Sequence, residues 1–193
     1  MKLKSEARKE TLKIRNSMRL EEVNEKSDII INKLLNTEEY KNAKTIMVYM
    51  DFKNEVKTGA LIDNAFKSHK RVVIPYTHME KVEVIPVEIS SLNDLVFSKY
   101  GYLEPKKEAT NNPFPVKDID LIVVPGVAFD RSCNRVGFGK GYYDKLLIQR
   151  KDGCKAIAIA YEYQVYNRVE ALEHDIKMDL LLTEENIYIK MEK

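Results

Sequence analysis

Short apolar runs rich in β-branched residues alternate along the chain with longer amphipathic segments. The candidate strands are TIMVYM (45–50), RVVIP (71–75), VEVIPV (82–87), DLIVVPG (120–126), KAIAIAY (155–161) and LLLT (180–183). The LIVVP and AIAIA cores of two of them are apolar almost throughout, as is typical of strands covered on both faces. This pattern predicts interior strands of a layered sheet.

Helical periodicity lies between these runs. After Thr58, a preferred N-cap residue, apolar residues recur at helical spacing at Leu61, Ile62, Ala65 and Phe66. The stretch YYDKLLIQR predicts another helix, ending in basic residues and Gly153. Alternating strands and helices favour an α/β fold, a three-layer sandwich with a largely parallel central sheet flanked by helices. The length predicts a single domain over residues 1–193.

The segment from Ser90 to Lys117 is the least regular part of the pattern. It contains GYLEP and NNPFPV, which place Pro, Gly and Asn in quick succession. We expect a long loop here, and in a compact domain such a loop is often functional.

The N-terminal segment, residues 4–35, contains neither Gly nor Pro and predicts one long helix or two consecutive helices. Its basic residues Lys4, Arg8, Arg15 and Arg19 fall on one helical face, beside an apolar stripe formed by Leu3, Ala7, Ile14 and Met18. One interpretation is a solvated charged face next to a core stripe. The other is that some of these cations contact a polyanion held by the rest of the fold.

Composition limits the class of protein. The 193 residues are 44% hydrophobic and 32% charged, with a net charge of +2, which predicts a soluble globular chain and gives no general reason to expect a nucleic-acid or membrane partner. Cys133 and Cys154 are too few for a disulfide framework, which favours a reducing cytoplasm. No apolar run resembles a signal peptide or a membrane span.

The stretch RVGFGKGYYDKLL, residues 135–147, holds three of the seven glycines of the chain, at alternate positions before a helical pattern. A glycine-rich loop that opens into a helix exposes backbone N–H groups to an anion, and Arg135 and Lys140 add two cations. The turn lacks the glycine that G-x-G-x-x-G requires at Tyr142, and it lacks the Ser or Thr of a P-loop. We therefore predict a phosphate site of another type, the alternative being a turn that is glycine-rich only for packing.

Acidic residues lie near this turn and near the C-terminus. Asp144 follows the glycines and is placed to hold a magnesium ion on bound phosphates, or else to serve as an ordinary acid in the first turn of a helix. Asp175 and Asp179, in HDIKMDLLLT, are candidates for a second carboxylate or are surface acids. The sequence leaves open which of the two approaches the metal.

The segment PGVAFDRSCNRVGFGKGYYDKLL resembles the signature of the 5-formyltetrahydrofolate cyclo-ligase family, also called methenyltetrahydrofolate synthetases. Further matches run in the same order along nearly the whole chain: Lys4 and Arg8, residues 55–58 (EVKT), residues 101–105 (GYLEP), IDLIVVP and HDIKMD. The resemblance implies that ATP phosphorylates the formyl oxygen of 5-formyltetrahydrofolate. Attack by N10 and loss of phosphate then give 5,10-methenyltetrahydrofolate and ADP.

The resemblance also implies roles for individual residues. The implied ATP-binding residues are Lys4, Arg8, Arg135, Gly137, Phe138, Gly139, Lys140, Gly141, Tyr142 and Tyr143. The implied folate-binding residues are Met50, Glu55, Tyr100, Phe138, Gly139, Lys140, Gly141 and Tyr142, with Glu55 bonded to the pterin. The implied catalytic residues are Lys140, Arg135 and Tyr142, and the implied magnesium ligands are Asp144 and Asp175. The expected partner is a small-molecule folate bound by a monomer.

Three positions depart from the family pattern. Cys133 stands where the family often has glycine, Val136 replaces a leucine, and Phe138 occupies a position often filled by arginine. Cys133 would alter the loop if that site requires a positive φ, and Phe138 removes a possible phosphate contact. These departures bear on nucleotide affinity more than on the type of reaction.

Two other classes of function are compatible with parts of the sequence. A nucleic-acid-binding module using the basic N-terminal helix would show steeply salt-dependent binding, but the near-neutral charge and the lack of an aromatic-basic RNA motif oppose it. A sugar-phosphate or acyl-transfer enzyme would bind phosphate esters at the same turn and be indifferent to Mg-ATP.

Overall fold

The computed structural model describes residues 1–191. The helices are α1 (Lys4–Ser17), α2 (Leu20–Leu35), α3 (Glu38–Asn42), α4 (Gly59–Lys67) and α5 (Tyr142–Leu147). The strands are β1 (Thr45–Val48), β2 (Arg71–His78), β3 (Glu83–Ile89), β4 (Leu95–Phe97), β5 (Leu103–Pro105), β6 (Leu121–Val124), β7 (Ala128–Asp130), β8 (Arg135–Val136), β9 (Lys155–Ile159), β10 (Val165–Tyr166), β11 (Leu180–Leu182) and β12 (Ile187–Ile189). Each predicted apolar run overlaps one of these strands, and β2 and β3 extend beyond the predicted runs at their C-terminal ends.

The central sheet has seven strands in the order β12-β11-β9-β6-β1-β2-β3. The inner strands β11, β9, β6, β1 and β2 pair in parallel, whereas β12 and β3 join the two edges antiparallel. Parallel pairing requires both faces to be covered, which explains why the inner strands are apolar at consecutive positions. The prediction of a largely parallel α/β sheet is confirmed.

Two cores lie on opposite faces of this sheet. On one face, alternate strand residues such as Val48 and Val123 pack with helices α2, α3 and α4. On the other, their sequence neighbours such as Met47 and Val124 pack with α5 and the loops around it. The period-two alternation of strand side chains thus builds the helix, sheet and helix layers of the predicted sandwich.

The N-terminal segment forms two consecutive helices, α1 and α2, with an extended break at Met18 and Arg19. The predicted apolar stripe of α1 is wrong in part, because Leu3 and Ile14 are 45% and 43% exposed. The face that packs is instead Ala7, Thr11 and Arg15, spaced four residues apart, and it lies against a small sheet of order β10-β7-β8. A buried arginine on the packing face was not expected from periodicity.

Two further elements differ from expectation. Helix α5 ends at Leu147, before Arg150 and Lys151 and well before Gly153, since the chain turns there toward β9. The segment from Ser90 to Lys117 is not an irregular loop throughout, because strands β4 and β5 pair antiparallel within it. Gly101, at φ +87°, lies in the turn that joins them. None of the helices in residues 1–191 is both long and apolar enough to cross a bilayer.

Candidate active site

A cavity of about 940 Å³ opens at the carboxyl edge of the parallel strands. It lies beyond the ends of β1 and β6, where residues 49–55 and Pro125 leave the sheet. The Gly137–Gly141 turn, the start of α1 and the β4–β5 hairpin complete its walls. Ligand sites of open α/β sheets lie at this edge, because the loops that follow parallel strands converge there.

The glycine-rich turn contributes backbone to the cavity. Gly139 and Gly141 have φ values of +99° and +70°, a region that residues with a Cβ rarely adopt. These two positions therefore need glycine for the backbone path itself. Helix α5 after the turn has only six residues, so its dipole is small, and the charge of the site comes chiefly from side chains.

Four cations surround the turn. Arg8 donates from Nε to the Gly137 carbonyl at 3.0 Å, which fastens α1 to the turn. Arg135, almost fully buried, donates to the Asp144 carboxylate at 2.9 Å and to the Pro125 carbonyl at 3.4 Å. Lys140 is exposed at the mouth of the cavity, without a salt-bridge or hydrogen-bond partner in the part of the chain that the structure describes. A phosphate entering the cavity would meet these charges together.

The fourth cation, Lys4, pairs with a carboxylate. Its Nζ lies 2.5 Å from Asp175 Oδ2. Burial favours the neutral acid, but the amide of Leu172 and the ammonium of Lys4 hold the pKa of Asp175 below its ordinary value. Asp175 is therefore ionised at neutral pH.

Asp144 and Asp175 both line the cavity, whereas Asp179 does not. Asp179 accepts hydrogen bonds from Arg150 and from the amide of Ala156, and so fixes the edge of β9 instead. Within residues 1–191 no three His, Cys, Asp or Glu side chains cluster as a metal cage. Two carboxylates beside a phosphate-attracting turn fit Mg²⁺, which commonly takes one or two protein carboxylates and completes its shell with phosphate oxygens and water.

Glu55 lies at the inner end of the cavity, 9% exposed. Its Oε2 accepts from the amide of Phe52 at 3.1 Å, and its Oε1 lies 3.5 Å from Nη1 of the buried Arg15. Burial raises the pKa of Glu55, and the charge of Arg15 opposes that rise. The Glu55 side chain is therefore shielded from water, and in its ionised form it can accept hydrogen bonds from a ligand's N–H groups.

Aromatic rings form the wall next to Glu55. Phe52 meets Tyr102 edge to face at 5.7 Å, and Tyr102 stacks against Tyr100 at 6.3 Å with an interplanar angle of 11°. Tyr100 and Tyr102 come from the β4–β5 hairpin, so the segment predicted as a functional loop does reach the site. Such a wall suits a flat conjugated ring.

Every residue that the family resemblance implies for the site lines this cavity, whereas the alternative metal candidate Asp179 does not. The fold brings two groups of predicted residues to the same cavity. One group is the glycine-rich turn with its cations and carboxylates, and the other is Glu55 with Met50 and Tyr100. The cavity is also lined by residues that were not predicted for the site, namely Phe52, Tyr102, Met79 and His174. Tyr102 lies in the YGY triplet with Tyr100, and His174 begins the HDIKMD segment that matches the family, so both could have been chosen from the sequence. Met79 lies in no such segment.

A family model described as the 5-formyltetrahydrofolate cyclo-ligase family matches residues 1–184. The chain belongs to this family. The resemblance drawn from the signature is confirmed. Among curated relatives, a probable 5-formyltetrahydrofolate cyclo-ligase of Schizosaccharomyces pombe is 32% identical over 86% of this chain and 87% of its own length. The mouse 5-formyltetrahydrofolate cyclo-ligase is 27% identical, with 82% of each chain covered.

Two solved members share the fold. The NMR structure of the Aquifex aeolicus 5,10-methenyltetrahydrofolate synthetase superposes with a TM-score of 0.83 at 34% identity, covering 98% of this chain and 94% of that one. The Mycoplasma pneumoniae synthetase gives a TM-score of 0.76 at 27% identity, with 94% and 98% covered. The fold is therefore the family's fold over nearly the entire chain.

The departures from the family pattern have structural counterparts. Cys133 is buried and has a φ of +63°, so the residue stands where glycine would be unstrained. Val136 is buried against Ala7 and Ala128, a conservative packing change. Phe138 projects from the turn with the guanidinium carbon of Arg15 5.6 Å from its ring centre.

Proposed function

We propose that this protein catalyses the ATP-dependent conversion of 5-formyltetrahydrofolate to 5,10-methenyltetrahydrofolate, with release of ADP and phosphate. The observation that carries the proposal is the single cavity in which the cationic glycine-rich turn faces the Glu55 corner and its aromatic wall. One end suits phosphates and the other suits a pterin, so both substrates would meet at the turn. Membership of the family supports the same reaction.

The chemistry requires the formyl oxygen to leave. As oxide it is a poor leaving group, and as phosphate it is a good one, so transfer of the terminal phosphoryl group of ATP to that oxygen activates the carbon. N10 then attacks the same carbon, which closes the ring, and loss of the N10 proton with expulsion of phosphate gives the methenyl product. The protein's task is mainly to align the two substrates and to neutralise charge on the phosphoryl group.

On the phosphate side, Lys4, Arg8 and Arg135 would contact ATP together with the backbone of the turn and Tyr143. Lys140 is free to bond the transferring phosphoryl group because it has no partner in residues 1–191. Arg135 is held by Asp144 and by Pro125, which fixes its direction before ATP arrives. We assign Lys140 and Arg135 the neutralisation of charge during transfer.

On the folate side, Glu55 would accept hydrogen bonds from pterin N–H groups. Met50 and Tyr100 would contact the ring system. Tyr142 lies in the turn between the two ends of the cavity, and its hydroxyl is 3.4 Å from the sulfur of Met79. We assign Tyr142 the alignment of the formyl group with the phosphoryl donor, alongside Phe138, Gly139 and Gly141.

Magnesium is part of the proposal. Asp144 and Asp175 would hold the ion when it is bound, and it would supply charge neutralisation on the ATP phosphates. Lys4 helps to keep Asp175 ionised, and Arg135 orients the Asp144 side chain through a salt bridge. We further propose one catalytic domain acting as a cytoplasmic monomer without nucleic-acid partners.

The test is a direct assay. Purified protein with Mg-ATP and 5-formyltetrahydrofolate should produce the strong near-ultraviolet absorbance of the methenyl product, with one ADP released per product formed. Reactions without ATP, or with a non-hydrolysable ATP analogue, should stay silent. Folded protein that gives no absorbance change with any of several nucleotides would refute the proposal. Binding of phosphate esters with indifference to Mg-ATP would favour the sugar-phosphate or acyl-transfer alternative.

A further inference from the structure

Arg15 is a charged side chain that lies inside the protein, between the two ends of the cavity. Only 3% of it is exposed, although it is a charged residue in the last turn of α1. Its Nη1 lies 3.5 Å from Glu55 Oε1, and its guanidinium carbon lies 5.6 Å from the ring centre of Phe138. Both contacts are with residues that line the cavity, one from each end.

The backbone of Arg15 is tied to the same corner. Asn54, next to Glu55, donates from Nδ2 to the carbonyls of Arg15 and Met18 at 2.8 and 3.0 Å. The C-terminal turn of α1 is therefore fastened to the loop that carries Glu55. A shift of α1 would move the guanidinium and this loop together.

Stability alone is a poor reason for this arrangement. Burying an arginine is costly, and a buried ion pair is often no more stable than apolar side chains of similar volume. The Nε of Arg15 is buried and has no hydrogen-bond partner in the described part of the chain, which adds to the cost. A side chain kept at this cost between Glu55 and Phe138 points to a role in the site.

We propose that Arg15 is a positioning residue for folate binding, which holds the Glu55 carboxylate ionised and directed toward the pterin. The role rests on the proposed function, since Glu55 is the residue through which it acts. Phe138 covers the guanidinium on the cavity side, where solvent would otherwise weaken its attraction for Glu55.

The other groups around Glu55 do not replace Arg15. The titratable neighbours that influence Glu55 are Arg15, Asp51, Lys57, Tyr49 and Tyr143. Lys57 is already bonded to Asp51 at 2.9 Å, so their charges largely cancel at Glu55. Burial raises the pKa of both tyrosines, which therefore stay neutral. Arg15 is thus the main charge that opposes protonation of Glu55.

The experiment compares Arg15→Met and Arg15→Lys with Lys13→Met, which removes an exposed cation from the same helix. The KM for 5-formyltetrahydrofolate and the KM for ATP are measured from pH 5 to 8. Arg15→Met should raise the folate KM at neutral pH about tenfold, because Glu55 loses its charged partner. The pH below which the folate KM rises should move upward, while the KM for ATP changes little.

Two comparisons separate positioning from mere packing. Arg15→Lys keeps the charge and should restore most of the folate affinity and the wild-type pH profile. In a Glu55→Gln background, Arg15→Met should have little further effect on the folate KM, since the residue acts through that carboxylate. A folate KM and pH profile that match wild type in Arg15→Met, or a full additional loss in the Glu55→Gln background, would overturn the proposal.

A second readout does not depend on activity. Carbon-13 NMR of glutamate-labelled protein, with Glu55 assigned from Glu55→Gln, follows that carboxyl directly. Its pKa should be higher in Arg15→Met than in wild type and unchanged in Lys13→Met. An unchanged pKa in Arg15→Met would refute the role of Arg15 even if the protein proved to be a cyclo-ligase. Absence of catalysis with the expected titration would refute only the proposed function.

Discussion

The two ends of the cavity, called the phosphate end and the folate end after the ligands proposed for them, differ in exposure. The phosphate end is an exposed turn with glycines at positive φ, and its cations include Lys140 at the surface as well as the buried Arg135. The folate end is a closed corner in which Glu55 and its charged partner Arg15 are both buried. A charged side chain in solvent keeps its hydration, but water weakens its electrostatic interactions. Burying the charge costs free energy, but its interactions are stronger in the low-dielectric interior.

This difference teaches what each end contributes. The phosphate end can attract a highly charged, hydrated ligand through the exposed Lys140, while Arg135 is already held by Asp144. The folate end must be formed before its ligand arrives, because a buried carboxylate has few ways to move. We therefore expect variants at the phosphate end to change turnover and nucleotide parameters, and variants at the folate end to change folate affinity.

The largest effect is expected for Lys140→Ala. Loss of a cation that bonds the transferring phosphoryl group should reduce kcat about 1,000-fold, as for other charge-stabilising groups. The melting temperature should not change, since Lys140 is exposed and makes no ion pair in residues 1–191. Lys117→Ala, an exposed lysine outside the cavity, is the control for kcat. A wild-type kcat in Lys140→Ala would contradict the proposed role of the glycine-rich turn in phosphoryl transfer.

Asp144→Asn should have the next largest effect. Loss of one proposed magnesium ligand should lower kcat about 100-fold at a fixed Mg²⁺ concentration. It should also raise the Mg²⁺ concentration needed for half-maximal rate. The substitution leaves the buried Arg135 without its carboxylate, so the melting temperature should fall by about 5 °C.

Asp179→Asn serves as the matched control for metal dependence. Asp179 also pairs with an arginine, at the same 2.9 Å, but it lies outside the cavity. The Asp179→Asn substitution should lower the melting temperature without changing the Mg²⁺ concentration needed for half-maximal rate. Equal metal responses of the two variants would contradict the placement of the ion at Asp144.

Tyr100→Leu tests the folate end with a smaller effect. The exposed ring of Tyr100 stacks on Tyr102, and its loss should raise the folate KM about fivefold through lost ring contact. The KM for ATP and kcat should remain near wild type. Tyr100→Phe keeps the ring and should behave as wild type, so a similar loss in that variant would assign the effect to the hydroxyl instead.

The residues of the glycine-rich turn could be chosen from the sequence as candidates for a phosphate site, whereas the Arg15 corner could not be found in this way. Glycines at alternate positions beside Arg135, Lys140 and Asp144 are local in the chain, so their spacing carries the chemistry directly. Arg15 and Glu55 are 40 residues apart, and only tertiary packing brings them together. The helical periodicity placed Arg15 on a basic face. The pattern of one helix does not indicate which residues of that face become buried against the rest of the fold.

The sheet shows the same division. Consecutive apolar residues predicted the covered parallel strands, since a strand that is buried on both faces is apolar at consecutive positions of its own sequence. The order β12-β11-β9-β6-β1-β2-β3 and the hairpin within residues 90–117 depend on contacts between distant segments, so no local pattern specified them. Residue spacing alone left Asp175 and Asp179 equivalent, the family resemblance implied Asp175, and the fold shows that Asp175 reaches the cavity whereas Asp179 does not.

The smallest effect concerns the loop that leads into the turn. Cys133 has a φ of +63°, where a Cβ is strained and glycine is not. Cys133→Gly and Cys133→Ala both lose the buried sulfur, so the difference between them isolates the backbone. We expect the glycine variant to be more stable by about 1 kcal/mol in urea unfolding.

Cys154 provides the matched control for that difference. It is also a buried free cysteine, and it is not among the residues with positive φ. At this position the order should reverse, with Cys154→Ala more stable than Cys154→Gly by about 0.5–1 kcal/mol, because glycine adds freedom to the unfolded chain without relieving strain. If the alanine variant were the more stable one at both positions, the positive φ of Cys133 would not be a source of backbone strain in the loop that leads into the turn.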